Sequence, residues 1–194
     1  MSKPALSEWL RRETREDHHR VDQHPALKPL LKRELTIAEY AASLCALYAP
    51  IASLELALRS GLPAHGINYS LIAREALLRE DIYQLGSKVE PPNPIMSPAS
   101  VAELVGQLYV LEGSRLGGAM IARHVERVLG SQTPLRFFTA HPLQEEEWAA
   151  FWRFAEQHCP PATWPAVQAG AQQAFAHFIQ GLEGFVNSNP VPKE

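Results

Sequence analysis

Residues 10–22 read LRRETREDHHRVD, and this stretch decides how the rest of the chain is interpreted. On a helix that turns by about 100° per residue, Leu10 and Thr14 lie on one apolar arc. His18 lies at the edge of that arc, whereas the neighbouring His19 is turned away from it. His18 therefore combines a position at the edge of the core with polar neighbours.

A carboxylate follows His18 by one helical turn, at Asp22. Residues four apart lie on the same helix face, so Asp22 can accept the proton of one ring nitrogen and leave the other nitrogen as a metal ligand. The alternative is an ordinary histidine at the core edge of a charged surface helix. This stretch alone does not decide between the two interpretations.

A second stretch, residues 109–118, reads YVLEGSRLGG and places three glycines within six positions of a helical pattern. Each glycine costs a helix about 0.8–1 kcal/mol relative to alanine, or about 2–3 kcal/mol for the three. Helices carry such a cost where the backbone kinks or where another group approaches it closely. Gly113 and Gly117 lie one turn apart on one face, so they could contact either a ligand or a neighbouring helix.

Together the two stretches resemble heme oxygenases. The pattern Leu-x3-Thr-x3-His-x3-Asp that ends at Asp22 resembles their proximal helix, in which the axial histidine is followed one turn later by Glu or Asp. The pattern Gly-Ser-Arg-Leu-Gly-Gly that starts at Gly113 resembles their glycine-rich distal helix, and Glu-Gly-Ser-x-Leu-Gly matches the bacterial branch best. The order of the motifs, their spacing and the chain length also match, so the resemblance covers most of the chain.

The resemblance implies that heme b is both cofactor and substrate, held between the proximal and distal helices. His18 would be the axial iron ligand, oriented by Asp22, while Gly113, Ser114 and Gly117 would form the distal catalytic side. Dioxygen and reducing equivalents would open the heme to biliverdin, carbon monoxide and free iron. By the same resemblance, the heme would also be contacted by Arg11, Arg15, Gly118, Arg153 and Phe175, with two of the three arginines at the heme edge beside the propionates. Tyr109 lies four residues before Gly113 on the same helix face, so we expect it to contact the heme as well.

One departure from the family pattern concerns proton delivery. Mammalian-type enzymes carry an aspartate on the distal helix where this chain has Ser114. A hydroxyl donates and accepts hydrogen bonds but is not an acid. We therefore expect the water chain to be anchored differently, as in bacterial members. The alternative for Ser114 is a helix serine bonded back to its own turn.

Composition and charge bound the remaining possibilities. A length of 194 residues suits one domain over residues 1–194, in which we expect residues 1–5 and 188–194 to be frayed. The net charge of −3, with mixed signs, gives no indication of nucleic-acid binding. Cys45 and Cys159 are isolated, without the spacing of a zinc site or a disulfide framework. We find no apolar signal region and no run approaching a membrane span. We thus expect a cytoplasmic protein. The resemblance to heme oxygenases further implies a monomer that takes electrons from a ferredoxin or reductase (or from ascorbate in vitro) and passes its product to a bilin acceptor such as a bacteriophytochrome.

The periodicity is helical almost throughout, which predicts an all-α domain of about seven to eight helices. Thr36 and Glu39 predict a capping box, Pro50 a bend, and Ser97 an N-cap. The predicted helices span residues 7–24, 36–50, 53–59 ending at Gly61, 69–85, 97–129 passing through the glycines, 143–158 and 166–186, with loops at 87–96 and 131–142, the latter with a short turn.

Three other classes of protein share features with this sequence. A heme-binding or heme-trafficking protein without turnover would share every binding residue. A non-heme di-iron oxidase would need two ExxH motifs, and the chain offers one, from Glu16 to His19. A thiaminase-type hydrolase would need a base beside its nucleophilic cysteine, and neither Cys45 nor Cys159 has an obvious one.

Overall fold

The computed structural model describes residues 5–92 and 97–189, and these ranges contain helices and loops but no strand. The predicted all-α class is thereby confirmed. The described α-helices are α1 (Leu6–Glu13), α2 (Arg15–Asp22), α3 (Ile37–Ala64), α4 (Glu75–Gln84), α5 (Val101–Gly113), α6 (Gly118–Leu129), α7 (Arg136–Thr139), α8 (Glu145–His158) and α9 (Trp164–Ser188), with short 3₁₀ helices at Lys28–Leu31 and Pro161–Thr163.

The longest helix, α3, begins with the predicted capping box, in which the Glu39 backbone N–H donates to the Thr36 hydroxyl at 3.2 Å. The predicted interruption at Pro50 and the predicted stop at Gly61 are wrong, because α3 continues through both. Gly61 instead allows close packing, since a Cβ there would lie 2.9 Å from the Pro98 ring.

Hydropathy alone would allow α3 to cross a membrane, contrary to our expectation that no apolar run approaches that length. In the fold, however, 78% of its apolar window is buried within the protein. The helix is apolar on most of its circumference because other helices surround it.

The helices α5 and α9 cross with their backbones in contact. A Cβ at Gly106 would lie 2.0 Å from the Val167 carbonyl oxygen, and one at Gly170 would lie 2.1 Å from that of Glu103. Both positions therefore require glycine for space, because any side chain would push the two helices apart. This crossing fixes the distal motif on α5 relative to the aromatic residues of α9.

The predicted first helix is divided at Thr14, whose backbone leaves helical geometry (φ −107°, ψ 8°). Its buried hydroxyl donates to the Leu10 carbonyl at 2.8 Å, the back-bonding that bends helices. A backbone bond from the His18 N–H to the Thr14 carbonyl at 3.0 Å still connects α2 to the end of α1.

Two helices begin later than the sequence predicts. The helix predicted from Tyr69 begins only at Glu75, because the buried Glu55 carboxylate on α3 accepts the backbone N–H groups of Arg74 and Glu75 at 2.7 and 3.1 Å. The N-cap of α5 is Ser100 rather than Ser97, and its hydroxyl accepts the Glu103 N–H at 3.2 Å.

The long helix predicted over residues 97–129 is broken by a turn at residues 114–117, which we call the distal kink. The predicted short turn in the following loop is α7. Of the ends expected to fray, residues 1–4 and 190–194 lie outside the described residues, as does part of the predicted loop at 93–96, whereas Ser188 still belongs to α9.

Candidate functional site

A cavity of about 830 Å³ lies between α2 and the distal kink. This volume falls within the range of about 300–1,000 Å³ typical of cofactor and small-molecule sites. The wall includes side chains from α1, α2, α3, α5, α6, α7, α8 and α9, so the site requires most of the fold. Among the lining residues are Arg11, Arg15, His18, Asp22, Tyr109, Gly113, Ser114, Leu116, Gly117, Phe137, Phe138, Trp148, Phe175 and Phe178.

On the α2 side of the cavity, His18 and Asp22 interact as the sequence predicts. His18 Nδ1 lies 2.9 Å from Asp22 Oδ2, and the Phe175 ring packs edge-on against the imidazole at 6.0 Å between centroids. Because Nδ1 faces the carboxylate, Nε2 is the ring nitrogen left for a ligand. His19 is exposed and is not part of the wall.

On the opposite side, the glycines provide space rather than unusual backbone angles. Gly117 has φ −76°, and the described glycines with positive φ are Gly66, Gly86 and Gly130. A Cβ at Gly117 would meet nothing within 4 Å. Gly117 therefore faces open space in the cavity, and the alternative of helix packing does not apply to it.

Ser114 is bonded both to its own turn and to a residue that the sequence analysis missed. Its hydroxyl donates to the Leu111 carbonyl at 2.6 Å and accepts from Arg74 Nη2 at 2.6 Å. The serine proton is therefore used within the protein, and one acceptor lone pair remains for the cavity. Back-bonding by Ser114, considered above as an alternative, is present together with the contact to Arg74.

Arg74 is a buried cation behind the distal kink, with 2% of its surface exposed. Its guanidinium carbon lies 4.8 Å from the centre of the Phe137 ring, which lines the cavity. Burial lowers the pKa of Arg74 to about 10, and the charge of Glu55 opposes that shift, so the side chain stays positive at neutral pH. No sequence signal distinguishes this arginine from a surface residue, because Glu55 and Ser114 lie far from it along the chain.

The short helix α7 brings two phenylalanines into the wall. The buried Asp81 carboxylate accepts the Phe137 N–H at 2.8 Å, and the Tyr40 hydroxyl donates to the Pro134 carbonyl at 2.7 Å. Burial raises the pKa of Asp81. These contacts hold Phe137 and Phe138 in place although α7 is too short to be stable alone.

Aromatic side chains from α8 complete the wall beside α5. The Tyr109 ring stacks on Trp148 at 6.1 Å and tilts against Trp152 at 5.5 Å. Trp148 also approaches Gly113, where an added Cβ would lie 3.9 Å from its ring. Tyr109 and Phe175 of this wall were predicted from their positions in the sequence, whereas Trp148 and the α7 phenylalanines carried no signal there.

Two predicted contact residues lie away from the cavity. Gly118 is buried, and a Cβ there would lie 3.2 Å from the Phe138 carbonyl oxygen, so it allows packing of α7 on α6. Arg153 is exposed on α8 and is absent from the cavity wall, unlike Arg11 and Arg15.

The described residues offer little to the other classes of protein. No group of three His, Cys, Asp or Glu side chains that could hold a metal ion converges within 5–92 and 97–189, so the ExxH motif at Glu16 has no partner set there. Burial raises the pKa of the Cys45 thiol, and raises that of Cys159 to about 11, which keeps both thiols protonated and unreactive at neutral pH.

Comparison with known proteins identifies the family. The model of the family described as heme oxygenase matches residues 4–184 of the chain. The chain belongs to the heme oxygenase family. A heme oxygenase of Xanthomonas campestris pv. campestris is 36% identical to it over 115 residues, which are 58% of this chain and 69% of that protein. The protein is therefore an enzyme that acts on heme.

Solved structures of heme oxygenases share the fold. The enzyme from Leptospira interrogans superposes with a TM-score of 0.70 at 20% identity, over 93% of this chain and all (100%) of that one. The NO- and CO-bound enzyme from Neisseria meningitidis gives 0.72 at 21% identity, over 95% and 94%. Heme oxygenase-1 from the cyanobacterium Synechocystis, in complex with heme, gives 0.68 at 18% identity, over 96% and 94%.

Proposed function

We propose that this heme oxygenase binds heme b in the described cavity, with His18 as axial iron ligand, and uses dioxygen and supplied electrons to convert it to biliverdin, carbon monoxide and free iron. The observation that carries the proposal is that His18 and the glycines of the distal side line the same cavity. Bound heme supplies the iron at which dioxygen is reduced and the porphyrin carbon that is hydroxylated.

On the proximal side, the chain's task is to hold one tautomer of His18. Asp22 accepts the Nδ1 proton at 2.9 Å, which keeps the Nε2 lone pair available for iron. Phe175 limits rotation of the imidazole through its edge-on contact. Because the side chains of His18 and Asp22 are largely exposed, the bond from Nε2 to the bound ligand would further restrict the imidazole ring.

On the distal side, backbone groups and space replace a distal acid. Gly117 is the N-cap of α6, where the positive end of the helix dipole favours negative charge on a nearby ligand. The absence of side chains at Gly113 and Gly117 leaves room for a diatomic ligand, and the Leu116 and Phe137 side chains add apolar surface to the same wall.

Proton delivery would then depend on water bound at Ser114. Because the hydroxyl proton is held by the Leu111 carbonyl, Ser114 can accept a hydrogen bond from water in the cavity but cannot readily donate to it. Arg74 fixes this orientation from behind through its bond to Oγ. The pair would anchor the water chain in place of the carboxylate of mammalian-type enzymes.

The propionates would lie at the edge where Arg11 and Arg15 line the cavity, because carboxylates bind guanidinium groups strongly. We further propose that residues 1–194 act as one cytoplasmic, monomeric domain, with a ferredoxin or reductase as electron donor. A bacteriophytochrome is one possible acceptor of the biliverdin.

The experiment combines the purified protein with heme and either ascorbate or a ferredoxin–reductase system, followed by chromatography of the extracted pigment. We expect one-to-one heme binding and conversion to biliverdin with release of carbon monoxide. Stable heme binding without pigment under both electron donors would instead support a non-catalytic heme-binding protein.

A further inference from the structure

Arg115 lies in the distal kink but points away from the cavity. Its neighbours Ser114 and Leu116 line the cavity, whereas Arg115 is absent from the wall and only 5% exposed. A buried arginine needs partners, because an unpaired buried charge costs several kcal/mol. Its partners therefore indicate what the kink is attached to.

The guanidinium of Arg115 contacts three separate parts of the chain. Nη1 donates to the buried Glu112 carboxylate at 2.6 Å, Nε donates to the His141 carbonyl at 3.0 Å, and Nη2 lies 3.4 Å from Glu147 Oε2. These contacts join the kink to α5, to the loop before α8, and to α8. We call Arg115, Glu112, the His141 carbonyl and Glu147 the distal clamp.

The clamp also connects the kink to the aromatic wall. The Glu147 carboxylate caps α8 by accepting the Gln144 N–H at 2.9 Å, and the next residue, Trp148, lines the cavity. Glu112 also faces Tyr69. Burial raises the pKa of the Tyr69 hydroxyl, and the negative charge of Glu112 raises it further. A displacement of Arg115 would therefore move both the kink and one end of α8.

The kink itself has little to fix its shape. The turn is closed by i to i+3 backbone bonds, from Arg115 N–H to Glu112, from Leu116 N–H to Gly113, and from Gly118 N–H to Arg115, at 3.0–3.2 Å. Such bonds are weaker in geometry than those of an α-helix, and glycine restricts the backbone least. The position of the cavity-facing atoms therefore depends on attachments outside this backbone, which are the bond of Ser114 to Arg74 and the contacts of Arg115.

We propose that Arg115 is a positioning residue, which through the distal clamp sets how closely the distal kink approaches the bound heme. The proposal rests on the proposed function in taking heme as the ligand, whereas the attachment of the kink by Arg115 does not depend on which ligand binds. Arg115 touches neither cavity nor ligand, so its effect must pass through the position of Ser114 and Gly117.

The variants must separate positioning from folding. Arg115→Met alone leaves the buried Glu112 unpaired and could unfold the protein, so the main variant is Arg115→Met with Glu112→Leu, which removes both charges. Arg115→Lys keeps the pair with Glu112 but cannot reach three partners at once. Arg123→Met is the control, because this arginine is exposed on the helix that follows the kink.

The first measurement is backbone amide hydrogen exchange in the heme-free protein. We expect exchange of the Leu116 and Gly118 amides to be at least about tenfold faster in the double variant, with a smaller increase in Arg115→Lys and unchanged rates in α9. Arg123→Met should match the wild type throughout. Equal rates at Leu116 and Gly118 in wild type and double variant would overturn the proposal.

The second measurement is the stretching band of carbon monoxide bound to the heme complex, which reports the polarity beside the ligand. We expect a single band in wild type and a broadened or split band in the double variant. An unchanged band would show that the clamp does not set the distal surroundings. A wild-type protein that binds no heme would contradict the proposed function alone, because the exchange result decides separately whether the kink is clamped.

Discussion

At the residue scale, the site depends on which atom of each polar side chain is still free. Asp22 is the partner of Nδ1 of His18, so Nε2 is the nitrogen that remains available. The Ser114 hydroxyl donates to the Leu111 carbonyl and accepts from Arg74, so one of its lone pairs remains available. The same residue types with other partners would offer different chemistry. Hydrogen-bond partners therefore decide, together with residue identity, which atoms each side chain can offer to a ligand.

Replacing His18 with alanine should abolish axial ligation, because it removes the ring nitrogen that lies beside the cavity. His19→Ala is the matched control, since this neighbouring histidine is exposed and lies outside the wall. The absorption spectrum of the heme complex should lose its histidine-ligated form in the first variant and keep it in the second. Equal loss in both would contradict the assignment of His18.

Acid stability should depend on His177, whose pKa is lowered by burial and whose Nε2 has no hydrogen-bond partner among the described residues. Below the unfolded-state value of about 6.5, the unfolded chain binds more protons at this site, so the free energy of unfolding falls as pH decreases through the lowered pKa. In His177→Gln this fall should be smaller. Urea midpoints at about pH 7.5 and about pH 5.5 test the difference.

The exposed His19→Gln variant is the control for the pH experiment and should follow the wild type. Some acid sensitivity should remain in His177→Gln, because burial also lowers the pKa of His24. The same loss of stability in wild type and His177→Gln would show that His177 does not titrate differently in the folded protein.

At the scale of elements, the distal kink shows why one sequence pattern had two interpretations. Gly118 packs against α7, as helix-packing glycines do, whereas Gly117 faces the cavity. Neighbouring glycines of one motif thus serve different purposes. The break in the helix coincides with the polar attachments of Ser114 and Arg115, which hold it on the side away from the cavity.

Gly117→Leu should keep the protein folded but slow the conversion of heme. The backbone of Gly117 already has helical φ, so the added side chain causes no backbone strain but projects into the cavity. We expect an unchanged circular dichroism spectrum with slow biliverdin formation or diversion of the heme to ferryl chemistry. Gly184→Leu is the control, because an added Cβ there also meets nothing within 4 Å, on the exposed face of α9. Wild-type rates in Gly117→Leu would show that this glycine is not needed for space.

At the scale of the whole molecule, the cavity lies where many elements meet, and charge is placed at one part of its edge. Arg11 and Arg15 come from neighbouring helices and line the cavity, while Arg153 is exposed on α8 outside it. Arg11 and Arg15 would therefore orient an amphipathic ligand that carries two carboxylates. Orientation of heme decides which carbon of the ring is attacked.

Arg15→Ala should weaken heme binding by about three- to tenfold, less than a fully buried charged hydrogen bond would, because the side chain is exposed. It should also broaden the mixture of biliverdin isomers. Arg153→Ala is the comparison and should change neither heme affinity nor isomers. Titration with heme and chromatography of the isomers measure both effects. An unchanged affinity and isomer pattern in Arg15→Ala would show that Arg15 does not bind the propionates.

The sequence by itself determined what depends on residues near one another in the chain. Helical periodicity, the capping box at Thr36, and the pairing of His18 with Asp22 are local, because one helical turn separates the partners. Both motifs of the family are likewise short and continuous. For this reason the fold class and both sides of the candidate site could be predicted.

Only the tertiary structure decided what depends on distant partners. The late start of α4 is set by Glu55, the orientation of Ser114 by Arg74, and the shape of the distal kink by contacts of Arg115 with α8. A buried charged group is stable only beside partners that the fold brings to it, and sequence position gives no measure of that distance. The local pattern therefore predicted several residues that line the cavity, whereas packing decided which other residues join them and which polar atoms are left without a partner.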